Sequence, residues 1–167
     1  METNRLLIRP MKESDQNAFL DGIADRALRI AYGLPKEMGE TIPPQIFRHF
    51  RTLSGSCSLI EKATGHMVGF LLDVDAELPE SIAETLEGKG RTLAFAVFPP
   101  YQRKGYMEEA LNAYIAHVFR DQAISYIHCG HFADNEASRR LLQKTGFQVY
   151  ASHTVKERII IDQIKQR

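Results

Sequence analysis

The chain has 167 residues, of which 44% are hydrophobic and 25% are charged, and its 21 basic and 21 acidic side chains give a formal net charge of zero. This length and composition predict one soluble domain, residues 1–167, with a sizeable hydrophobic core. Balanced charge leaves no electrostatic footprint for nucleic acid or for an anionic membrane, so neither is expected as a direct partner.

The cysteines and the short apolar runs indicate the cellular compartment. Cys57 and Cys129 lie far apart and form no C-x-x-C pair, which favours a reducing environment. No run approaches about 18 apolar residues, and the first residues lack the apolar region of a signal peptide. We therefore expect a cytoplasmic protein.

Hydrophobic periodicity, capping residues and turn residues predict the elements of the first half of the chain. They are a strand at 5–9, a helix at 14–30 bent or divided at Gly22, a helix at 41–53, and a hairpin of strands 56–61 and 67–73. Gly65 is expected at positive φ in the turn of this hairpin.

The second half is predicted as alternating strands and helices after an irregular surface excursion from Ala76 to Arg91, within which a short helix around Ile82 is left open. These elements are a central strand at 92–98, a helix at 105–120, a strand at 125–130, a helix capped by Asp134 or Asn135 and ended by Gly146, and strands at 147–152 and 158–162. The result is one mixed α/β domain.

The stretch F-A-V-F-P-P-Y-Q-R-K-G-Y-M-E-E-A-L, residues 95–111, joins the central strand to a helix. Pro99 and Pro100 end the strand, and Gly105 lets the backbone approach a ligand at a helix start whose N–H groups lack partners. With Arg103 and Lys104 beside it, this turn is a candidate anion site. An ordinary strand–turn–helix corner with solvated basic residues remains the alternative.

Two motifs resemble those of the GCN5-related N-acetyltransferases. Q-R-K-G-Y-M resembles their acyl-CoA turn, although Met107 departs from the usual small residue, and H-F-A-D-N-E-A-S-R-R-L-L-Q-K-T-G-F resembles their second signature. The whole chain resembles the RimJ/RimL-type, ribosomal-protein N-terminal acetyltransferase-like branch. The resemblance implies a single-domain α/β fold with a mixed central sheet of about six or seven strands, about four helices, and splayed central strands.

The resemblance also implies the activity: acetyl transfer from acetyl-CoA, as co-substrate and without a metal, to a primary amine. A protein N-terminus and a small amine are both expected as acceptors. Two alternatives stay open, namely a non-catalytic CoA-binding or regulatory module and an acetyltransferase of polyamines or antibiotics. A homodimer is also left open.

Carried over residue by residue, the resemblance implies one set of donor-site residues: Ala96, Val97, Gln102, Arg103, Lys104, Gly105, Tyr106, Met107, Asn135 and Ser138. Ala96 and Val97 would meet the pantetheine arm, and residues 102–107 would take the pyrophosphate. Asn135 would contact the arm from the far side. Ser138 is the candidate general acid, because Leu142 stands where many relatives carry a Tyr acid.

The general base is open, because the central strand T-L-A-F-A-V offers no titratable side chain. His131 is the candidate base, with an ordinary pKa near 6.5, while Glu61, Asp73 and Asp75 are alternatives. At neutral pH the neutral fraction of an α-amine is roughly 300-fold larger than that of a lysine amine, so acetylation of a protein N-terminus needs a weaker base.

Two further features are interpreted conservatively. His128 and His131 of H-C-G-H face opposite sides of a strand, so no metal site is expected there, and Cys129 is expected to be buried rather than nucleophilic. The basic residues of 21–51, among them Arg26, Arg29 and Arg51, are either solvated or set a preference for an acidic acceptor.

Overall fold

A computed structural model describes residues 1–76, 78–121 and 123–167. Its α-helices are α1 Gln16–Ile23, α2 Arg26–Tyr32, α3 Ile42–Thr52, α4 Glu80–Ala83, α5 Tyr106–Val118 and α6 Glu136–Lys144. Its strands are β1 Leu6–Pro10, β2 Gly55–Glu61, β3 Met67–Asp75, β4 Lys89–Val97, β5 Ile124–Phe132, β6 Gln148–Val155 and β7 Arg158–Gln166. Within the described ranges, every helix is too short or too polar to cross a membrane.

These seven strands form one sheet in the order β1-β2-β3-β4-β5-β7-β6. Strand β4 runs parallel to β5, whereas β1 with β2, β2 with β3, β5 with β7 and β6 with β7 are antiparallel. The predicted α/β class with a mixed sheet is therefore confirmed.

The chain divides into two compact units, and the first comprises Met1–Asp73 and Phe95–Ala110. Its core is an aromatic cluster in which the ring centroid of Phe19 lies 5.4 Å from those of Phe47 and Phe70 and 5.8 Å from that of Phe50. Tilted and edge-on pairs of this kind add to the energy of apolar burial. The cluster fixes α1 and α3 against the β2–β3 hairpin.

Helix α1 meets the end of β4 at Gly22. A Cβ atom at this position would lie 2.2 Å from Cδ1 of Phe98, so the ring occupies the space that a side chain would need. The sequence predicted a first helix bent or divided at Gly22, and the structure confirms the division, which falls directly after this position between Ile23 and Arg26. The helix ends after Ile23, and the Asp25 side chain starts α2 by accepting a 2.7 Å hydrogen bond from the N–H of Leu28.

A buried carboxylate joins β1, β2 and the start of the first helical segment. The Asp15 carboxylate accepts hydrogen bonds from the two terminal guanidinium nitrogens of Arg9, at 2.7 and 2.8 Å, and from the hydroxyl of Ser58 at 2.7 Å. Burial raises the pKa of Asp15, but these hydrogen bonds and the one from the Lys12 N–H lower it by more than burial raises it. The pKa of Asp15 therefore lies below its ordinary value. The carboxylate is thus held in its charged form.

The second unit comprises Val74–Ala94 and Leu111–Arg167. Strand β7 lies between β5 and β6, pairing with β5 from Tyr126 to Phe132. The parallel register of β4 with β5 is shorter, from Lys89 to Thr92. Leu111 of α5, Ile127 of β5 and Leu142 of α6 are each at most 1% exposed, so they belong to the core of this unit.

The segment Ala76–Arg91, predicted as an irregular excursion, is in fact partly regular. It contains α4, and its last three residues open β4, while Glu77 lies outside the described residues. The G-K-G pattern resembles a turn, but Gly90 is a strand residue under the ring of Tyr126, whose Cε2 would lie 2.1 Å from an added Cβ. A close approach of ring and backbone, rather than a turn, explains this glycine.

We expect Gly22→Ala to lower the free energy of unfolding by about 1–3 kcal/mol, because its methyl group would overlap the buried ring of Phe98. Gly39→Ala is the matched control, since a Cβ there meets nothing within 4 Å. Urea unfolding of both variants measures the difference. Equal midpoints for the two variants would contradict the packing described here.

Candidate functional site

The site predicted at 102–107 begins where β4 stops. The N–H of Phe98 still bonds the carbonyl of Val68 at 2.9 Å, after which Pro99–Tyr101 form one turn of 3₁₀ helix. The side-chain amide of Gln102 then donates to the carbonyl of Val97 at 3.0 Å. Gln102 therefore closes the end of the strand and sets the direction of the following turn.

The turn that follows uses left-handed backbone at two positions, Arg103 with φ 60° and Gly105 with φ 78°. Helix α5 begins directly afterwards at Tyr106. The backbone N–H groups of residues 103–107 form no hydrogen bond to any residue that the structure describes. Successive free N–H groups at a helix start make a concave donor surface suited to an anion.

Arg5, at the start of β1, holds this turn in place. Its guanidinium donates to the carbonyl of Lys104 at 2.8 Å and pairs with Glu109 at 2.7 Å. It also lies over the ring of Tyr106, 4.7 Å from the centroid. The carbonyl side of the turn is thus tied down, while its N–H side is left for a ligand.

Glu109 completes this clamp from the first turn of α5. It accepts from the Thr3 hydroxyl at 2.5 Å and from the backbone N–H of Arg5 at 2.7 Å. Although burial raises the pKa of Glu109, the bonds from Thr3 and Arg5 hold it below its ordinary value. A charged carboxylate near a helix N-terminus is also favoured by the helix dipole.

The side chains of Tyr106 and Met107 are buried, each 6% exposed. The Tyr106 hydroxyl donates to Glu61, which also accepts from Thr64 at 2.7 Å. The bonds from Thr64 and Tyr106 lower the pKa of Glu61, one of the alternative bases. Burial of the Met107 side chain leaves only the backbone of this residue on the turn.

The two strand residues of the predicted site also lie in the first unit. Ala96 is buried and Val97 half-buried, and the carbonyl of Ala96 lies 2.2 Å from where a Cβ of Gly69 would stand. Gly69 therefore permits close approach of β3 to β4. The structure brings Val97 and Gln102 into direct contact, and the pantetheine contacts of Ala96 and Val97 stay predictions.

Asn135 and Ser138 lie together in the second unit, at the start of α6. The Asn135 side chain caps the helix by accepting from the N–H of Ser138 at 3.1 Å, which confirms the predicted cap. Ser138 is half-buried, one helical turn before the core residue Leu142. Their roles toward a cofactor stay predictions.

His131, the candidate base, is buried with both ring nitrogens engaged. Nδ1 lies 2.9 Å from the carbonyl of Phe132, and Nε2 lies 2.8 Å from the side-chain nitrogen of Gln163. Because a carbonyl only accepts, Nδ1 carries the proton and Nε2 accepts from the amide. Its basic lone pair therefore already has a partner. Among the alternatives, Asp75 pairs with Arg91.

His128 has a different set of partners, as expected from its opposite face of β5. Its Nδ1 lies 3.1 Å from the hydroxyl of Thr92, and its Nε2 lies 2.9 Å from Asp162. Apart from H-C-G-H itself, no sequence pattern pointed to these partners of His128. Cys129 between the histidines is buried, which raises the pKa of its thiol and agrees with the expected inert cysteine.

The basic stretch 21–51 forms local contacts within the first unit. Arg26 lies 3.5 Å from Glu37, and the guanidinium of Arg29 donates to the carbonyl of Lys36 at 2.9 Å. Arg51 pairs with Glu13. Contacts within the protein therefore explain these three basic side chains, and no acceptor substrate is needed to explain them.

Comparison with known proteins identifies what this arrangement resembles. The acetyltransferase (GNAT) domain family model matches residues 5–148. An uncharacterized N-acetyltransferase, YoaA of Bacillus subtilis, is 28% identical over 151 residues, covering 89% of this chain and 82% of YoaA.

Solved structures share the fold. A GNAT-family acetyltransferase from Bacillus anthracis superposes with a TM-score of 0.81 at 16% identity, covering 99% of this chain and 97% of its own. RimL, a ribosomal α-N-protein acetyltransferase in complex with coenzyme A, has a TM-score of 0.77 at 15% identity, covering 98% and 95%. The GNAT fold predicted from the motifs is thereby confirmed.

We expect Asn135→Ala to lower the free energy of unfolding by about 1 kcal/mol, because it removes the cap of α6. Asn135→Asp keeps a capping oxygen but loses the amide donor, so its stability is expected to match the wild type. Thermal unfolding of both variants tests this. Equal destabilisation by Ala and Asp would show that the cap bond is not what Asn135 contributes.

Proposed function

Because this chain belongs to the acetyltransferase (GNAT) domain family, we propose that it transfers the acetyl group of acetyl-CoA to a primary amine. The observation that carries this proposal is the turn at 102–107, where unpartnered N–H groups follow a strand that stops at two prolines. The turn lies inside the residues that the family model matches. The donor is thus the better supported half of the reaction.

The turn fits a pyrophosphate on physical grounds. Alternating right- and left-handed backbone, as at Arg103 and Gly105, favours a concave set of N–H donors. Arg5 with Glu109 holds this turn without a ligand. Pre-formed donors avoid the entropy cost of ordering the loop on binding. In this proposal residues 102–107 hold the pyrophosphate, and acetyl-CoA supplies the activated acyl group.

The chemistry asks the chain for three things: a neutral amine, a polarised thioester carbonyl and a proton for the leaving thiolate. We assign the carbonyl contact to backbone of Ala96 and Val97. Ser138 is assigned the proton donation to the thiolate, since its side chain is half-buried on the first turn of α6. Asn135 fixes that turn through its cap.

The acceptor is proposed to be an α-amine, of a protein N-terminus or a small molecule. An α-amine has a pKa of about 7.7–8.0 and is partly neutral at pH 7, so it needs little help to react. Placement in the RimJ/RimL-type branch belongs to this proposal as well. It is supported by Q-R-K-G-Y-M in the donor turn and by the fold shared with RimL, a protein that was solved with coenzyme A.

Thiol release from acetyl-CoA with a panel of N-terminal peptides, polyamines and aminoglycosides tests the function. We expect turnover with at least one α-amine acceptor. Calorimetric binding of acetyl-CoA without any thiol release would contradict the enzyme and favour a non-catalytic CoA-binding module. Absence of binding would contradict both.

We expect Gly105→Val to weaken coenzyme A binding at least tenfold, because a β-branched residue at φ 78° costs about 1–2 kcal/mol and reshapes the turn. Gly65→Val is the matched control. Its φ is 73°, but it lies in the β2–β3 turn. Calorimetry measures the coenzyme A affinity of both variants. Because both substitutions strain a left-handed backbone, only a loss specific to Gly105→Val reports on the binding site. Equal affinities in folded variants would place the pyrophosphate elsewhere.

Ser138→Ala is expected to lower kcat about tenfold or more while leaving acetyl-CoA affinity within about twofold, because it removes a proton donor and not a binding contact. Ser152→Ala, an exposed serine in the same unit, is the control. Steady-state kinetics and calorimetry make the comparison. Unchanged kcat would remove Ser138 from the chemistry.

A further inference from the structure

The sheet has two edge strands, β1 and β6, and the outer side of β1 is covered by the chain itself. Ile8 exchanges backbone hydrogen bonds of 2.8 and 2.9 Å with Met1 on that side. The carbonyl of Leu6 accepts there from the N–H of Thr3 at 2.9 Å. The strand then ends at Pro10, which has no N–H to offer a neighbouring strand. The β1 edge is therefore closed.

Strand β6, in the second unit, lacks this protection. Its eight residues, Q-V-Y-A-S-H-T-V, include no proline and no Lys, Arg, Asp or Glu. Among the strands that the structure describes, β6 pairs only with β7, and six of its eight residues are exposed. Its register with β7 is irregular between Val149 and Ala151, which leaves Ala151–Val155 as the regular part. A long, uncharged edge of this kind is a template for another strand.

The turn between β6 and β7 shows which backbone groups of β6 point outward. Lys156 and Glu157 have φ of 46° and 66°, as in a two-residue type I′ hairpin. Val155, the residue before the turn, bonds β7 through both of its backbone groups, and bonded and non-bonded residues alternate back along the strand. Ser152 and Thr154 are the non-bonded residues, so their N–H and C=O groups point away from β7.

The residue across from Thr154 agrees with this assignment. It is Ile159 of β7, and its carbonyl accepts from the N–H of Ala133 at 2.9 Å. That bond lies on the side of β7 away from β6. The pair of Thr154 and Ile159 is therefore a non-hydrogen-bonded pair of the ladder.

Exposed apolar side chains lie beside these outward groups. Of the six large hydrophobic side chains that are exposed in the described residues, four belong to β6 and β7: Val149, Tyr150, Val155 and Ile159. Val155 and Ile159 are 43% and 52% exposed. The open edge thus combines unpaired backbone groups with apolar surface, and both favour the addition of a strand.

We propose that β6 pairs antiparallel with β6 of a second copy of this chain, so that two copies form a dimer with one continuous sheet. The two-fold axis passes at His153, the middle residue of the regular part. Ser152 of each copy then faces Thr154 of the other, and each of these two pairs exchanges two backbone hydrogen bonds. Val155 of each copy lies opposite Ala151 of the other and covers it.

The composition of the edge favours a second copy over a charged partner. Because β6 carries no Lys, Arg, Asp or Glu, it has nothing to attract an acidic or a basic segment, and self-pairing brings no two of these charges opposite each other. His153, on the axis, is held by a 2.7 Å bond to Asp162 of its own copy. An antiparallel edge is also complementary to itself, since its outward donors and acceptors recur from either end.

The closed β1 edge limits the assembly to two copies. Pairing of β6 with β6 uses both open edges, and the edges that remain are covered by residues 1–3 and end at Pro10. A two-fold contact of this kind closes on itself and leaves no edge for a filament. Since one pair of strand edges buries little area, we expect a dissociation constant on the order of 10 μM.

Sedimentation velocity of the full chain, at concentrations from about 1 μM to about 500 μM, measures this association. The mass should rise with concentration from that of one chain, 19.0 kDa, toward twice that value. Hydrogen exchange at the amides of Ser152 and Thr154 should slow at least about fivefold over the same range, because these N–H groups become bonded.

Ser152→Lys combined with Thr154→Lys places ammonium groups opposite each other in the proposed register, so we expect self-association to weaken at least about tenfold. Ser152→Glu combined with Thr154→Glu should weaken it as much. A mixture of the Lys and Glu forms should associate again, because opposite charges then face each other. Asn112→Lys combined with Ala116→Lys is the matched control, on exposed positions of α5, and should dimerise as wild type.

A wild type that stays monomeric at every concentration would overturn the proposal. Dimers that the Lys form makes as readily as the control would place the interface elsewhere, and larger species would contradict the closed contact. If thermal unfolding shows that the Lys and Glu forms do not fold, the wild-type mass and the two amides decide alone. Protection of these amides only after an N-terminal peptide is added would assign the edge to that peptide. None of these measurements depends on acetyl transfer, so failure here leaves the proposed function standing.

Discussion

The ion pair between Arg5 and Glu109 is the interaction on which the donor turn depends. It ties the start of β1 to the first turn of α5, and the same guanidinium holds the carbonyl of Lys104. With the carbonyl of Lys104 so restrained, the turn is held while the N–H groups of 103–107 stay without protein partners in the described residues. In the proposed function the binding surface is therefore backbone, and side chains outside the motif give it shape.

In the proposed function, recognition by backbone lets the turn tolerate Met107, the departure from the family pattern. The side chain of Met107 is buried, so only its backbone lies on the turn. The chemistry, in contrast, requires particular side chains, and Phe95–Val97, the part of β4 in the first unit, carries no titratable side chain.

Much of the fold could be predicted from the sequence, because amphipathic periods, caps and turns are local: the cap at Asn135 and the positive φ of Gly65 were both foreseen. Features set by distant residues were not. At Gly22 and at Gly90 an aromatic ring from another element occupies the space that a side chain would need, and neither contact could be foreseen. The partners of His128 were hidden for the same reason, since Asp162 lies 34 residues away along the chain.

The central claim is that the N–H groups of residues 103–107 bind the pyrophosphate of coenzyme A, and backbone amide NMR tests it most directly. Titration with coenzyme A should shift the ¹H–¹⁵N signals of Arg103, Lys104 and Gly105 strongly, whereas pantetheine, which lacks the phosphates, should leave them in place. Tight binding of coenzyme A that leaves these amides unshifted, or equal shifts with both ligands, would contradict the account.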